Sequence, residues 1–505
     1  MSNLHIIVQA GGRGSRLRHH TWNKPKCLVS IQGKPILYHL FDQFSNAKFH
    51  IIGDYAFDQL EKYLEVNPPL IDYVLHNTKE KGTLAGIAKT VEQIPATDQV
   101  VLIWGDLIIT QLSILLSNNL PVVYVTEKIV CRWTYQNGTI KERPGANGIP
   151  GLFYFPQASI LANAPPEGEF VEWFSDNVPY YDVVSHDQIE EMGDFASVEL
   201  QNDRLGFSRF FNKVTINNTT VTKQVLDKNY EHLIKNEQAW YQEVSHLGFN
   251  RIPKVISDDP YVMEKILGHH PYQMFDLSPR EKRSVLSDYI DTLTNLHSLG
   301  SIASTHQEVI DTYITKTIDR VTSVSTLIPN FDQATITVNG VKCRNIFNDA
   351  HKSLFEEILK ELHTEFFTPI HGDPTFSNSL VDNNLRVWFI DPRGYFSKPG
   401  IWGDPMYDFA KVYYSAVGGY DTFNRRKFKL HIDSETVEIL MEPTLFIDCA
   451  EDVFISYFGN NLTKIKIIHG LIWLSLSGYV RDDIDSIIGS FYLGLYYLEQ
   501  GLKKL

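Results

Sequence analysis

The chain has 505 residues, and its 46 lysines and arginines against 60 aspartates and glutamates give a net charge of −14. This length predicts more than one domain, and the negative charge disfavours nucleic acid as a partner. Because no apolar run approaches the roughly 18 residues of a membrane helix and the four cysteines show no paired spacing, we expect a cytoplasmic protein that binds no membrane.

Short apolar runs rich in β-branched residues alternate with helical patterns through the first 200 residues. Strands are predicted at Leu4–Val8, Phe49–Ile52, Ile71–Leu75, Val100–Trp104 and Val122–Val125, and helices at Ile36–Phe44 and Thr83–Val91. This alternation predicts a doubly wound, Rossmann-like α/β sheet.

The pattern changes near residue 205. A hairpin is predicted from Phe210–Ile216 and Val221–Leu226, and the rest is mostly helical, with a long helix at Pro279–Leu299 and an aromatic-rich helical stretch at Ile467–Leu502. We therefore predict an α/β domain at 1–205 and an α+β domain at 206–505. The second has a small lobe at about 206–267 and a helical lobe at about 268–505.

A glycine-rich loop follows the first strand. It consists of Gln9, Ala10, Gly11, Gly12, Arg13, Gly14, Ser15 and Arg16, and Lys24-Pro25-Lys26 comes shortly afterwards. Glycines let backbone N–H groups approach phosphates, and a following helix N-terminus favours anions. Arg16 and Lys26 are suited to offset charge as pyrophosphate leaves. A tight strand-to-helix turn explains the glycines alone, but it does not explain these cations.

Three ordered pieces, Gly12-x-Gly14-x-Arg16-Leu17, Lys24-Pro25-Lys26-x-Leu28 and Gly33-Lys34-Pro35-Ile36-Leu37, resemble the signature of the sugar-nucleotide and phosphocholine nucleotidyltransferases. The resemblance implies that Gly82 and Thr83 contact the base of a nucleoside triphosphate, CTP or UTP by preference. It also implies that Asp106 holds a catalytic Mg²⁺.

Two further acidic positions of this resemblance are less sharply marked. Asp194 is the candidate for a second Mg²⁺ ligand, with Asp176 as a rival. Glu169 resembles an acid that contacts the acceptor, although a lone glutamate after a loop is more often simply solvated.

The densest polar cluster of the second half is His371-Gly372-Asp373 followed by Asn378, with Asp391 at the end of an apolar run. Phosphoryl transfer from ATP requires a carboxylate aimed at the acceptor hydroxyl and separate oxygen ligands for Mg²⁺. Asp373 suits the first role, and Asn378 and Asp391 suit the second. The arrangement resembles the aminoglycoside phosphotransferase and choline kinase family, in which a lysine and a helical glutamate anchor ATP.

Lys223 and Glu237 are the candidates for that ATP anchor, and Glu231 competes with Glu237. The segment Tyr261–Gly268, which includes Glu264, resembles the strand between the lobes that meets the adenine. The glycine-rich loop of protein kinases is missing, because the hairpin turn is Asn217-Asn218-Thr219. Asp404 and Asp408 resemble an element that supports the catalytic loop.

These resemblances together imply a bifunctional enzyme. It phosphorylates a small alcohol with ATP and then transfers a nucleotidyl group to the product, with Mg²⁺ at both sites, as in surface-polysaccharide precursor synthesis. Arg393 suits a hydroxyl-rich sugar or an acid as the acceptor, since a guanidinium favours carboxylate and phosphate partners and repels a quaternary ammonium, and this places a sugar or polyol ahead of choline. A structural pair with Asp404 or Asp408 explains Arg393 equally well.

Two alternatives remain open. The first is a choline or ethanolamine kinase joined to the matching cytidylyltransferase, because an aromatic box favours such a cation. The candidate aromatic residues are Trp388, Tyr395, Trp402 and Tyr407. The second alternative is that one domain is catalytically silent and acts as a nucleotide-binding scaffold.

Overall fold

The computed structural model describes residues 3–109, 119–204, 212–226 and 228–503. The chain forms two compact units. Unit 1 comprises Met1–Arg204 together with Arg481–Asp485, and unit 2 comprises Leu205–Val480 and Ser486–Leu505. The predicted boundary at 205/206, and Phe210 and Phe211 at the start of the predicted hairpin, lie outside the described residues. The inclusion of Arg481–Asp485 in unit 1 was not predicted.

The core of unit 1 is a mainly parallel sheet. Among the described residues its seven strands have the order β12-β8-β11-β6-β1-β4-β5. Their bounds are β1 Leu4–Gln9, β4 Lys48–Gly53, β5 Tyr73–Asn77, β6 Gln99–Trp104, β8 Val122–Val125, β11 Leu152–Phe155 and β12 Asp182–Ser185. Strand β11 is antiparallel to both of its neighbours, whereas the other pairs are parallel. The predicted Rossmann-like class is confirmed.

Shorter strands and helices complete unit 1. The strands are β2 Ser30–Ile31, β3 Lys34–Pro35, β7 Leu107–Ile109, β9 Trp133–Gln136, β10 Thr139–Glu142 and β13 Ile189–Glu191. The helices are α1 Ile36–Gln43, α2 Phe57–Val66, α3 Ile87–Val91, α4 Phe170–Asn177 and α5 Phe195–Arg204. The segment after the glycine loop, Ser15–Thr21, is a 3-10 helix, and Thr83 lies outside the shorter α3.

Central strands are apolar throughout because both of their faces are covered. Ile6, Ile7 and Val8 of β1 are completely buried, as is the run 100–103 of β6. Both strands end at polar loops on the same edge of the sheet, since they run parallel. This edge is where open α/β sheets bind their ligands.

A row of histidines crosses the sheet diagonally, from His5 near the start of β1 to His76 near the end of β5. His5 Nδ1 lies 3.0 Å from His50 Nε2, and His50 Nδ1 lies 3.2 Å from His76 Nε2. Asp98 Oδ2 lies 3.2 Å from the remaining nitrogen of His5. Burial, and then the charges that His5 and His76 would carry, lower the pKa of His50 to about 3.

Acidification is therefore expected to destabilise unit 1. An unfolded histidine titrates near pH 6.5, so the unfolded chain binds this proton first as the pH falls from about 6.5 towards 3. The free energy of unfolding decreases across that window. Over the same pH window, a His50→Gln variant should lose less stability than the wild-type chain does. The midpoint of urea unfolding, measured over a pH series, reports this loss. A variant of an exposed histidine, His232→Gln, is the control. If the urea midpoint of His50→Gln falls with pH as steeply as that of the wild type, the expectation is contradicted.

Unit 2 begins with a small antiparallel sheet. Its order is β14-β15-β17-β16, with bounds β14 Asn212–Ile216, β15 Thr220–Val225, β16 Val255–Asp258 and β17 Tyr261–Glu264. Helix α6, Glu231–His246, follows β15. Trp240 and Tyr241 are buried on this helix.

The rest of unit 2 is mostly helical. The helices are α7 Pro279–His297, α8 His306–Ile310, α9 Lys316–Thr322, α10 Leu354–Glu361, α11 Pro405–Ala416, α12 Tyr420–Asn424, α13 Ile447–Phe458, α14 Leu462–Ser477 and α15 Ile484–Leu502. The strands are β18 Ile302–Ala303, β19 Thr335–Val338, β20 Val341–Arg344, β21 Phe366–Pro369, β22 Ser379–Val381, β23 Val387–Phe389, β24 Trp402–Gly403, β25 Phe428–Ile432 and β26 Thr436–Met441.

Two features of this helical region refine the prediction. Helix α7 begins with a capping box between Ser278 and Glu281, close to the predicted start. The aromatic-rich stretch is divided between α14 and α15, so the predicted continuous helical region is interrupted. Within the described part of the chain, no helix is both long and apolar enough to cross a membrane.

Candidate active sites

Backbone hydrogen bonds tie the start of the glycine loop in unit 1 to the ends of β6 and β4, the two strands beside β1. The N–H of Gly105 donates to the carbonyl of Gln9 at 2.9 Å, and the N–H of Ala10 donates to Ile52. Gly11 packs against Asp54, whereas no atom of the described residues lies within 4 Å of a Cβ placed at Gly12. Gly14 adopts a φ of 61°, a left-handed conformation that favours glycine.

The loop is held against the segment around Thr83. Gln9 Nε2 donates to the carbonyls of Thr83 and Ala85, both at 2.9 Å. A Cβ at Gly82 would clash with the carbonyl of Gly168, so only glycine fits there. Thr83 Oγ1 accepts from the N–H of Phe170 at 2.7 Å and donates to Glu169 at 3.3 Å. The structure thus gathers these predicted nucleotide-contacting residues with Glu169, which also lies 3.5 Å from Arg132 Nη1.

Four charged side chains converge beside this loop. Lys26 Nζ donates to Asp106 Oδ2, and Arg16 Nη2 lies 3.1 Å from Glu191 Oε1. A Cβ placed at Gly193 would be 3.0 Å from Arg16 Nη2 and 3.1 Å from Asp106 Oδ2, and it would clash with Glu191. Both acids therefore flank Gly193.

Glu191 is a functional candidate that the sequence did not single out. Burial, followed by the negative charge of Asp106, raises the pKa of Glu191, and Arg16 and Lys26 oppose the rise. Its spacing from Asp106 along the chain carried no signal. Its position on β13, which pairs with β7, brings it to Asp106.

Asp194 and Asp176 are placed differently from Glu191. Asp194 Oδ1 accepts from the N–H of Ser197 at 3.0 Å, and its Oδ2 accepts from Ser197 Oγ at 2.8 Å. These bonds, the backbone bond first, lower the pKa of Asp194. Asp194 thus caps helix α5, and Asp176 is exposed near the end of α4. The role of Asp194 as a metal ligand stays a prediction.

The candidate ATP anchor of unit 2 lies between the small sheet and the loop after β23. Lys223 Nζ lies 2.6 Å from Glu237 Oε1 and also donates to Asp391. Burial opposes the charge of Lys223, but the carboxylates of Asp391 and Glu237 outweigh it and raise the lysine pKa. Glu231 instead pairs with Lys235 at 2.9 Å. Glu264 ends β17, and its side chain is exposed.

The candidate catalytic loop is braced from within. Asn378 Nδ2 donates to the Asp373 carbonyl at 2.9 Å and to its Oδ2 at 3.1 Å. Lys411 Nζ, on α11, lies 2.9 Å from Asp373 Oδ1. Asp391 adopts a φ of 55°, a left-handed conformation that is uncommon outside glycine and clusters at functional sites.

Asp408 holds this loop in place. It is fully buried and accepts from the backbone N–H groups of His371 at 2.8 Å and Gly372 at 2.7 Å. His297 Nε2 lies 3.0 Å away. Asp404 caps α11 by accepting from Met406 N–H and lies 3.0 Å from Lys464 Nζ.

An Asp408→Ala variant is expected to unfold more readily. The change leaves two buried backbone donors and His297 without their acceptor, which costs about 3–5 kcal/mol. Chemical denaturation measures the loss, with the exposed Asp349→Ala as the control. A change in the free energy of unfolding no larger than that of Asp349→Ala would contradict this supporting role.

Arg393 lies between two tyrosines. Its Cζ is 4.0 Å from the ring centroid of Tyr395, and its Nη1 donates to the hydroxyl of Tyr407 at 2.9 Å. Among the described residues Arg393 forms no ion pair, and Asp404 and Asp408 have the partners given above. Of the predicted aromatic box, Tyr395 and Tyr407 thus contact a cation of the protein itself. Trp388 also contacts a cation, since Arg251 Cζ lies 5.9 Å from its ring centroid, and its indole N–H donates to Asp382 at 3.1 Å. Trp402 lies on β24, beside Gly300.

These arrangements define the class of protein. A lysine and carboxylates beside a glycine loop, at the ligand-binding edge of a Rossmann-like sheet, are the features of a nucleotidyltransferase. A lysine–glutamate pair beside an aspartate-containing loop, in a unit with a small sheet and a helical lobe, is the arrangement of a kinase-like phosphotransferase.

Comparison with known families agrees with this class. Residues 6–117 match the family model of the MobA-like NTP transferase domain, and residues 205–429 match that of the phosphotransferase enzyme family. The chain therefore carries an N-terminal domain that matches the first family and a C-terminal domain that matches the second, and both are families of transferases.

Individual relatives match about a fifth of the chain. The bifunctional protein GlmU of Marinobacter nauticus is 31% identical over 114 residues, which are 22% of this chain and 24% of the relative. GlmU of Stenotrophomonas maltophilia is 28% identical over 106 residues, or 20% of this chain and 22% of the relative. The chain thus spans about a quarter of the length of the curated relatives it matches.

Solved structures give similar matches. The CTP:phosphocholine cytidylyltransferase LicC of Streptococcus pneumoniae is 18% identical, with a TM-score of 0.34 over 40% of this chain and 99% of that chain. HddC of Yersinia pseudotuberculosis is 19% identical, with a TM-score of 0.33 over 39% of this chain and 98% of that chain.

Proposed function

We propose that the protein catalyses two consecutive steps. Unit 2 phosphorylates a hydroxyl of a small metabolite with ATP, and unit 1 transfers a nucleotidyl group from CTP or UTP to the phosphorylated product. The observation that carries the proposal is that each unit holds a lysine against a carboxylate beside a polar loop, Lys26 with Asp106 and Lys223 with Asp391.

In the kinase step, Asp373 orients the acceptor hydroxyl and accepts its proton. The hydroxyl oxygen bonds to the γ-phosphorus while the bond from that phosphorus to the β,γ-bridging oxygen breaks, and ADP leaves. Lys411, 2.9 Å from Asp373, helps to orient the carboxylate. Lys223, oriented by Glu237, binds the phosphates of ATP.

In the nucleotidyl step, a phosphate oxygen of the acceptor attacks the α-phosphorus, and pyrophosphate leaves. No side-chain nucleophile is needed, because the acceptor phosphate is already ionised at neutral pH. Lys26 stabilises the charge that develops at the α-phosphate, and Arg16 stabilises the departing pyrophosphate. Gly82 and Thr83 contact the base, and Glu169 contacts the acceptor. The preference for CTP or UTP rests on the resemblance of the glycine motif.

Both sites offer the oxygen ligands that Mg²⁺ prefers. Among the described residues no group of three or more His, Cys, Asp or Glu gathers as a metal site, but Mg²⁺ is commonly held by one or two carboxylates together with substrate phosphates. Asp106 fits this role, and Glu191 is better placed beside it than Asp194. Asp391 and the amide oxygen of Asn378 fit it in unit 2. Bound there, Mg²⁺ would neutralise charge on the triphosphates.

The two steps suit a single chain because the first makes the substrate of the second. A phosphomonoester is the product of Asp373 chemistry, and it is also the acceptor that Lys26 and Asp106 are placed to activate. Such a sequence would supply activated precursors for surface polysaccharides. We place it in the cytoplasm, where thiols such as the four buried cysteines remain reduced.

A sequential assay tests the proposal. The purified chain is given ATP with a panel of sugars and polyols, ADP is measured, and CTP, UTP, GTP or ATP is then added while pyrophosphate is measured. Formation of ADP followed by acceptor-dependent pyrophosphate release is the expected result. Pyrophosphate release from none of the chain's own kinase products would disprove the coupled function. ADP formation without it would favour a scaffolding role for unit 1.

A further inference from the structure

A group of cations surrounds Tyr407, next to the catalytic loop of unit 2. This cation cluster consists of Lys316, Arg320, Arg393 and Lys411. Lys316 and Arg320 lie one turn apart on α9, and Tyr407 and Lys411 lie one turn apart on α11. Residues four apart on a helix share one face. Two helices and the loop after Asp391 therefore bring four positive charges together.

Three of the four cations lie within 6 Å of the ring centroid of Tyr407. Lys316 Nζ lies 5.6 Å from the ring centroid of Tyr407, and Lys411 Nζ and Arg393 Cζ each lie 5.9 Å from it. A cation within about 6 Å of an aromatic face is weakly attracted by it. One ring does not offset three cations that repel one another.

The carboxylates nearby do not balance the cluster. Lys411 is paired with Asp373, whereas Arg320 donates to Ser475 Oγ at 3.0 Å and Arg393 donates to Tyr407. Across the described ranges, no ion pair is formed by Lys316, Arg320 or Arg393, and Lys316 also has no hydrogen bond to its ammonium. The cluster therefore has an excess of positive charge close to Asp373.

This excess is unfavourable at Lys316 and Arg320, whereas Asp373 offsets it at Lys411. Burial, and then the positive charges of Arg393, Arg320 and Lys411, lower the pKa of Lys316. Buried charge is destabilising unless it is paired, and folded proteins retain such unfavourable arrangements chiefly where function requires them. An anionic group bound among these side chains would supply the missing counter-charge.

We infer that the kinase acceptor carries an anionic group, a carboxylate or a phosphate, in addition to the hydroxyl that Asp373 orients, and that Lys316, Arg320 and Arg393 bind this group. The inference rests on the proposed kinase function and names its substrate class, a hydroxy acid or a sugar or polyol phosphate. The bonds made and broken are those of the kinase step above, and the anionic group passes through unchanged. A quaternary ammonium such as choline is repelled.

Binding to two matched series of probes tests this inference. The intact chain with ADP is titrated calorimetrically with glycerol, glycerate, glycerol 2-phosphate and choline, and then with glucitol, gluconate and glucose 6-phosphate. In at least one series the anions should bind about tenfold or more tightly than the neutral alcohol. Tighter binding of the carboxylate or of the phosphate identifies which anion the pocket takes.

A Lys316→Gln variant separates binding from folding. It should weaken anion binding by roughly 10- to 100-fold and raise the thermal midpoint, because removal of one cation relieves repulsion. The exposed Lys352→Gln variant, which removes the same charge from the surface, should change neither property. A side chain with only a structural role would lower the midpoint when replaced.

Three results would overturn the inference. They are binding of glycerol, glucitol or choline as tight as that of the matched anions, no anion binding in either series, or unchanged anion binding in Lys316→Gln. Failure of the kinase proposal is distinguishable from these. If only neutral alcohols are phosphorylated, and Asp373 is required, the kinase proposal stands and the anionic acceptor is rejected. If anions bind but no phosphoryl group is transferred, the anion site stands and the kinase proposal is rejected.

Discussion

An Asp373→Asn variant is expected to keep its fold and to lose ADP formation by about 10³-fold, within the range that a positioned general base contributes. Asparagine retains the shape of the side chain and its carbonyl oxygen, so the hydrogen bond from Asn378 Nδ2 survives. It no longer accepts the hydroxyl proton, and it gives Lys411 no charged partner.

The control for this loss is Asp349→Asn, an exposed carboxylate of unit 2, which should behave as wild type. Pyrophosphate release by unit 1 from an acceptor that is already phosphorylated should be unchanged in Asp373→Asn. Retention of full ADP formation would remove Asp373 from the mechanism.

A Glu191→Gln variant is expected to reduce pyrophosphate release by about 10²- to 10³-fold, comparable with the loss of one preorganised charge-stabilising group. Glu191 and Asp106 flank Gly193, and their mutual repulsion is the kind that a bound Mg²⁺ relieves. Glutamine removes one of the two charges and leaves Arg16 without its acidic partner.

Asp194→Asn is the matched comparison. Asparagine caps helices as well as aspartate does, so α5 should be retained and pyrophosphate release should stay within about threefold of wild type. The steady-state rate at saturating Mg²⁺ and its dependence on Mg²⁺ concentration are the measurements. A large loss in Asp194→Asn with little change in Glu191→Gln would restore Asp194 as the second acidic ligand.

The parts of the fold that local pattern determines were predictable. Buried parallel strands such as β1 and β6 are marked by continuous β-branched residues, and the glycine loop is marked by its composition. Strand β11 was missed because Leu152–Phe155 is buried on both faces, and neither its strand character nor its direction leaves a periodic signal. The 3-10 conformation of Ser15–Thr21 was missed because its propensities do not separate it from an α-helix.

Of the candidate sites, residues within one motif were visible and those contributed from elsewhere were not. Asp373, Asn378 and Asp391 lie close together in sequence. Lys411 and Lys316 approach them only because α11 and α9 pack around the loop, and lysines on helices are ordinarily solvated. Long-range charge pairing is a property of the tertiary fold, and composition does not encode it.

The short segment Arg481–Asp485 brings contacts to unit 1 from far along the chain. Lys24, two residues before Lys26, is only 2% exposed and lies 2.5 Å from Asp483 and 2.6 Å from Asp485. Burial opposes the charge of Lys24, but these two aspartates outweigh it and raise the lysine pKa. Tyr63 also donates to the carbonyl of Arg481 at 2.6 Å.

An N-terminal domain usually folds while the ribosome is still translating the rest of the chain. Here the ammonium of Lys24 meets both of its acidic partners only after Asp485 has been added, well after the rest of unit 1 has been translated. A chain that stops at Arg204 would bury this charge without them, a defect that destabilises proteins strongly. Unit 1 is thus completed only after residues 205–480 of unit 2 have been translated.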